Sequence, residues 1–216
     1  KPNYLIMQKH LENRFINKGI EKQRLITTGI PISTNFINSA KNIKKKLNIT
    51  NEKLILVMLG SMGFGNIKEI LSDLLEIPNI KIAIICGTNK TLYKELNELN
   101  NENLIVYGYT NNINDLIYSS DIVLSKPGGL SSTEIATIGK PLLHIFPIPG
   151  IETYNTNFFA NHNMSLTCNT KDEIIANINK LLNDNTLAEE MVKNQHKYIN
   201  QNSAKDLISL IKKEFK

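Results

Sequence analysis

Tryptophan is absent from the 216 residues, and cysteine occurs only twice, as Cys86 and Cys168. The two are far apart and no Cys-x-x-Cys pair exists, which argues against a disulfide framework and a zinc site and fits a reducing cytosol. No apolar run approaches the roughly 20 residues needed to cross a bilayer. The longest clean one, Leu54–Leu59, has the length of a buried strand. No signal-peptide pattern is present. The chain opens on Lys1-Pro2-Asn3 rather than Met, followed at once by the apolar Tyr4-Leu5-Ile6, which predicts a cut through a longer protein. Walker A chemistry is excluded because Gly65 is followed by Asn66-Ile67, not Lys-Ser/Thr. A dinucleotide fingerprint is missing too. The glycines of Gly60-Ser61-Met62-Gly63-Phe64-Gly65 run Gly-x-x-Gly-x-Gly, and the second strand ends Ile85-Cys86-Gly87-Thr88 without a ribose-binding carboxylate. The four histidines, His10, His144, His162 and His196, show neither metal spacing nor a Gly-x-Ser-x-Gly elbow. His144 reads as a packed strand residue. No side chain stands out as a general base, so the reacting groups are expected to come from elsewhere.

What is present describes a folded domain: 41% hydrophobic and 21% charged residues, with a formal net charge of +5. The positive charge is dispersed except for Lys44-Lys45-Lys46 and the group Lys205, Lys212, Lys213 and Lys216. The first cluster reads as a solvated face. The second lies on a helical pattern and leaves contact with an anionic membrane surface open. Nucleic-acid binding has only the net charge behind it, with neither clustered Arg nor an aromatic stacking platform.

Strand-like and helix-like segments alternate. Strands are predicted at Leu54–Leu59, Lys81–Cys86, Leu104–Tyr107, Ile122–Leu124, Leu142–Ile145 and Ser165–Thr167. Helices are predicted at Ile67–Leu75, Thr91–Leu99, Ile113–Ser119, Ser132–Ile138, Asn155–Asn161, Asp172–Leu182, Leu187–Tyr198 and Ala204–Phe215. Near the start, Tyr4–Ile6 and Arg24–Thr28 are strand-like and flank a helix around Lys9–Lys18, with Gly19 as its stop. Continuous apolar strands between helices of about ten residues imply an α/β fold, a doubly wound Rossmann-like parallel sheet with helices on both faces. Ligands of such sheets bind beyond the carboxyl ends of the strands.

Three strand-end loops carry polar or flexible residues. Gly60–Gly65 either lets a phosphate approach the backbone or is only a tight turn. Ser125-Lys126-Pro127-Gly128-Gly129-Leu130-Ser131-Ser132-Thr133-Glu134 joins glycines to a helix starting near Ser131, an anion site made of backbone N–H groups and the helix dipole. Ser131, Ser132 and Thr133 would add hydroxyl donors and Lys126 a positive charge. Glu134 has two readings: it closes a capping box with Ser131, or it accepts hydrogen bonds from the vicinal hydroxyls of a ribose. The third loop, Pro147-Ile148-Pro149-Gly150-Ile151-Glu152-Thr153-Tyr154-Asn155, offers a carboxylate and an amide to sugar hydroxyls, or is a surface loop capped by Asn155.

With these loops in place the sequence resembles the C-terminal domain of a GT-B glycosyltransferase. The branch is that of bacterial diacylglycerol glucosyltransferases and plant monogalactosyldiacylglycerol synthases, with a more distant similarity to the N-acetylglucosaminyltransferase of lipid II. The resemblance runs over nearly the whole chain, through Thr28-Gly29-Ile30-Pro31-Ile32, Gly60-Ser61-Met62-Gly63, Tyr107-Gly108-Tyr109-Thr110, the Ser125–Glu134 loop, Gly139-Lys140-Pro141 and Pro149–Asn155. It implies a UDP-sugar donor and no tightly bound cofactor or metal. Gly60, Ser61 and Gly63 would approach the diphosphate, and Tyr107, Gly108 and Tyr109 would lie against the uracil. Gly128, Gly129, Ser131, Ser132 and Thr133 would hold the diphosphate, Glu134 the ribose hydroxyls, and Glu152 and Asn155 would face the donor sugar, with Ser125, Lys126 and Gly150 counted in the same donor site. It also implies a layout: residues 1–22 as the last strand and helix of an acceptor domain, 23–202 as the donor domain, and 203–216 as a helix packing back. The implied acceptor is a lipid such as diacylglycerol or, alternatively, a polyprenyl-linked one; a non-catalytic nucleotide-sugar module is a further alternative. The full-length protein would be cytoplasmic and peripheral on the inner face of the membrane, with little transfer by the isolated chain. One departure is Ile151, where this branch usually has Gln after Pro-Gly.

Overall fold

The structure is a computed structural model and describes residues 3–60, 67–150 and 152–214. Six parallel strands form the main sheet: β3 (Lys53–Met58), β4 (Ile80–Ile85), β5 (Leu104–Tyr107), β6 (Ile122–Ser125), β7 (Leu142–Ile145) and β8 (Leu166–Cys168). Their order is β5-β4-β3-β6-β7-β8. The chain thus winds outward from β3 in one direction, returns, and continues from β6 in the other. The switch point lies between β3 and β6, where Met58 pairs with Ser125. Leu54 through Met58 are all buried. Successive strand residues point to opposite faces, so an unbroken buried run requires cover on both. That cover comes from helices α3 (Ile67–Glu76), α4 (Lys90–Glu98), α5 (Ile113–Ser119), α6 (Gly129–Ile138), α7 (Thr153–Asn161), α8 (Lys171–Asn183) and α9 (Asn185–Tyr198). The doubly wound reading of the sequence is therefore correct.

The first fifty residues are organised separately. Strands β1 (Tyr4–Ile6) and β2 (Leu25–Thr27) pair in parallel in a sheet of their own. The predicted single helix between them is a 3-10 turn (Lys9–Leu11) followed by the short α1 (Glu12–Ile16). A further helix, α2 (Asn35–Asn38), and a 3-10 turn at Lys44–Leu47 have no counterpart in the sequence prediction. Both are too short to display a periodic apolar face.

The last helix, α10 (Ser203–Glu214), follows a tight junction with the N-terminal segment. Asn200 donates to the Thr28 carbonyl at 2.9 Å, and the buried Ser203 hydroxyl donates to the Ile30 carbonyl at 2.7 Å. Gly29 sits between them at φ +85, and a Cβ there would come within 3.2 Å of Ser203 and 3.3 Å of Asn200. Among the described residues no helix is long and apolar enough to cross a membrane.

Candidate functional site

The polar strand-end residues converge beside the switch point. A cavity of about 240 Å³ is lined by Gly60 after β3, Gly87 after β4, Tyr109 and Thr110 after β5, and Ser131 and Glu134 of α6. Met58, Leu59, Ile85 and Ile113 form its apolar floor. Gly60 has φ +78 with open space around a would-be Cβ, so the backbone conformation, not crowding, calls for glycine there. Ser61 and Gly63 lie outside the described residues, as does Ile151.

Helix α6 begins at Gly129, two residues earlier than predicted. Its N-cap is Gly128, in extended conformation, whose carbonyl accepts from the Ser132 N–H at 3.0 Å. This removes the capping box, because Ser131 is the third residue of the helix and cannot be its cap. The reason for the early start is tertiary. Gly129 packs so closely on Ile30 that a Cβ would lie 3.2 Å from its Cδ1, and Asn155 donates to the Pro127 carbonyl at 3.1 Å. The N–H groups of Gly129, Leu130 and Ser131 are first-turn donors with no partner inside the helix. They supply the partial positive charge of the helix end.

The helical spacing sorts the four polar residues of this turn. Ser131 and Glu134, three apart, share the face toward the cavity. Ser132 and Thr133 turn away. Ser132 is fully buried with its Oγ 2.9 Å from His144 Nε2, and Thr133 Oγ1 donates to the Gly129 carbonyl at 2.7 Å. Of the three hydroxyls expected to serve as donors, only Ser131 faces the cavity. Burial pushes the Glu134 carboxyl up from 4.5 to about 7. His144 is packed as its strand position suggested. Its ring is held between Ser132 and Ser165 Oγ, the latter 3.1 Å from Nδ1, and burial pushes it down to about 3.

Of the remaining candidate residues only Tyr109 lines the cavity, and the others described surround it. The buried Ser125 hydroxyl donates to the Lys126 carbonyl. The Lys126 ammonium donates to the Phe146 carbonyl, at a residue held in the left-handed region with φ 45. Its charge is therefore already engaged at the end of β7. Tyr107 is the last residue of β5, its carbonyl accepts from the Cys86 N–H, and burial pushes its phenol up. Gly108 has ordinary room for a Cβ against Tyr93. Tyr109 is 73% exposed.

In the third loop, Glu152 accepts from the Ile148 N–H at 2.7 Å and Gly150 donates to Thr153 Oγ1 at 2.9 Å. These carboxylate and amide groups fasten their own loop. Asn155 is inside α7 and does not cap it; its amide ties the third loop to the second. Gly87 and Thr110 also line the cavity; their strand-end positions mark both for inspection in the sequence, but neither is assigned a role there. The apolar floor had no such signal, because a floor residue and a core residue look alike in sequence. Among the described residues no group of three His, Cys, Asp or Glu side chains is close enough to hold a metal ion.

Solved structures share this architecture. The chain superposes on UDP-GlcNAc 2-epimerase from Neisseria meningitidis bound to UDP-GlcNAc with a TM-score of 0.72 and 19% identity, covering 99% of this chain and 62% of that one. MurG of Acinetobacter baumannii gives 0.65 and 20%, covering 88% and 60%. Among curated proteins, the processive diacylglycerol beta-glucosyltransferase of Bacillus subtilis (strain 168) is 32% identical over 98% of this chain and 57% of its own length. Its counterpart from Bacillus cereus (strain G9842) is 29% identical over 84% and 48%. The chain thus spans about half the length of the curated relatives it matches. The model of the glycosyltransferase family 28 C-terminal domain matches residues 54–211, from the start of β3 into α10. With most of its length inside that match, this chain belongs to the glycosyltransferase family 28 C-terminal domain family.

Proposed function

We propose that this chain is the donor-binding part of a glycosyltransferase that moves a hexose from a UDP-sugar to a lipid acceptor such as diacylglycerol. The observation that carries the reading is the Glu134 carboxyl beside free helix N–H groups at the switch point. When ionised, Glu134 accepts hydrogen bonds from the two ribose hydroxyls. The Gly129, Leu130 and Ser131 N–H groups meet the diphosphate, with the Ser131 hydroxyl beside them. Tyr109 and Thr110 border the base. As the sugar leaves, negative charge grows on the diphosphate, and donors already fixed by the helix stabilise it without reorganising. Glu152 and Asn155 hold the sugar-side loop in shape, so their effect on donor binding passes through the path of that loop.

The names of the relatives support the lipid acceptor, and the UDP-GlcNAc bound in a structural neighbour supports the donor class. In the same reading, residues 1–22 end an acceptor domain, and α10 packs back toward it. That domain supplies the catalytic base and meets the inner membrane face.

Calorimetric titration with UDP, ADP and NAD, repeated on Glu134→Ala, tests the donor site. UDP alone should bind, and the variant should weaken it by about tenfold, the loss of a charged hydrogen-bonding pair. A preference for ADP or NAD would overturn the reading.

A further inference from the structure

A second cavity, of about 450 Å³, lies on the other side of α6, with Thr133 in its wall where Ser131 and Glu134 face the first. Its walls come from the loop after β1, the stretch after β2, α7 and the end of α9. Two features set it apart from a packing gap.

Gln8 lines it and is only 8% exposed, yet among the described residues its side-chain amide has no hydrogen-bond partner. Its polar atoms reach the cavity space instead of being sealed in the core, so its donors and acceptor are open to a ligand. The charge of the lining is also one-sided. Lys9 and Lys197 are joined by His162, and among the described residues no carboxylate lines the cavity. Neither lysine forms an ion pair among the described residues; Lys197 Nζ lies 4.9 Å from the Tyr198 ring. Phe158 and Tyr198 add apolar surface, each with its ring against His162 at 4.8 and 4.2 Å.

We propose that this cavity is a binding site for a phosphate monoester carried on an aromatic or apolar body. The two ammonium groups meet the phosphate, the Gln8 amide donates to it, and the rings receive the body. Such a ligand would bridge the β1–β2 pair and the end of α9. It would therefore hold the N-terminal segment against the six-stranded unit.

Phenyl phosphate is the probe, titrated into the whole 216-residue chain and followed by amide NMR, with benzyl alcohol as the uncharged control. The expected result is binding that shifts the amides of residues 7–9, 27–30 and 197–200 but not those of Gly87 and Thr110. Lys197→Gln and Gln8→Leu should each weaken it by about tenfold, whereas Glu134→Ala should leave it unchanged. Lys197 is exposed and Gln8 loses no hydrogen bond, so both variants should keep the wild-type melting temperature. Three results would overturn the proposal: no binding to the folded chain at millimolar concentration, equal binding of benzyl alcohol, or full binding by the Lys197→Gln, Gln8→Leu double variant.

Discussion

Burial holds the Glu134 carboxyl at about 7 in the folded chain against an ordinary value of 4.5. The native state therefore keeps a proton that the unfolded chain releases more readily. Stability from this group is complete below about pH 4.5 and is lost as the pH rises toward 7. Glu134→Gln should accordingly raise the melting temperature at pH 8 and leave it nearly unchanged at pH 4, measured by thermal denaturation at both. The same ionisation should govern the ligand. If ribose hydroxyls bind the carboxylate form, UDP affinity should rise between pH 6 and 8, and the Gln variant should lose that rise. His144 behaves in the opposite sense. Its folded value of about 3 lies below the ordinary 6.5, so protons bind the unfolded chain first as the pH falls. It removes about 1.4 kcal/mol of stability per pH unit below 6.5. Denaturant titrations between pH 6 and 4 should show a shallower acid slope for His144→Asn.

Helix α6 shows how an element can be expected correctly and placed wrongly. A Ser, Ser, Thr run before an apolar stretch favours a start at Ser131 on local preference. The helix starts at Gly129 because Ile30 and Asn155, distant in sequence, close on that glycine. The two-residue shift decides which hydroxyls meet the cavity. Its other end was legible from sequence, since Gly139 takes the left-handed conformation of a C-cap with φ +77. A Cβ there would also lie 2.7 Å from His196 Nε2 and 3.0 Å from Val192 Cγ1. Gly139→Ala should destabilise the fold by about 1–3 kcal/mol in chemical denaturation. His196→Ala in the same chain should recover only part of this, because the backbone strain remains.

At the scale of the molecule, the β1–β2 pair is fastened to the six-stranded unit through Thr28–Ile30 and Asn200–Ser203. Removing the Asn200 amide should free the Thr28 carbonyl and its tie to Asp206. Asn200→Ala is expected to speed hydrogen exchange in residues 4–6 and 25–27 while leaving β3 and β6 protected. Exchange that rose equally throughout would mean that the two parts unfold together.

The sequence by itself determined the parallel sheet, most of its helices and the strand-end positions that border the candidate site. Apolar runs and glycine stops are local patterns, and a strand buried on both faces reads directly as continuous hydrophobicity. Only the tertiary structure decided that Ser132 and Thr133 face away, that Lys126 is engaged by Phe146, and that Glu152 and Asn155 fasten loops. Each of these depends on a partner brought near by folding, and a side chain that can donate to several acceptors does not encode in its own position which one it will meet.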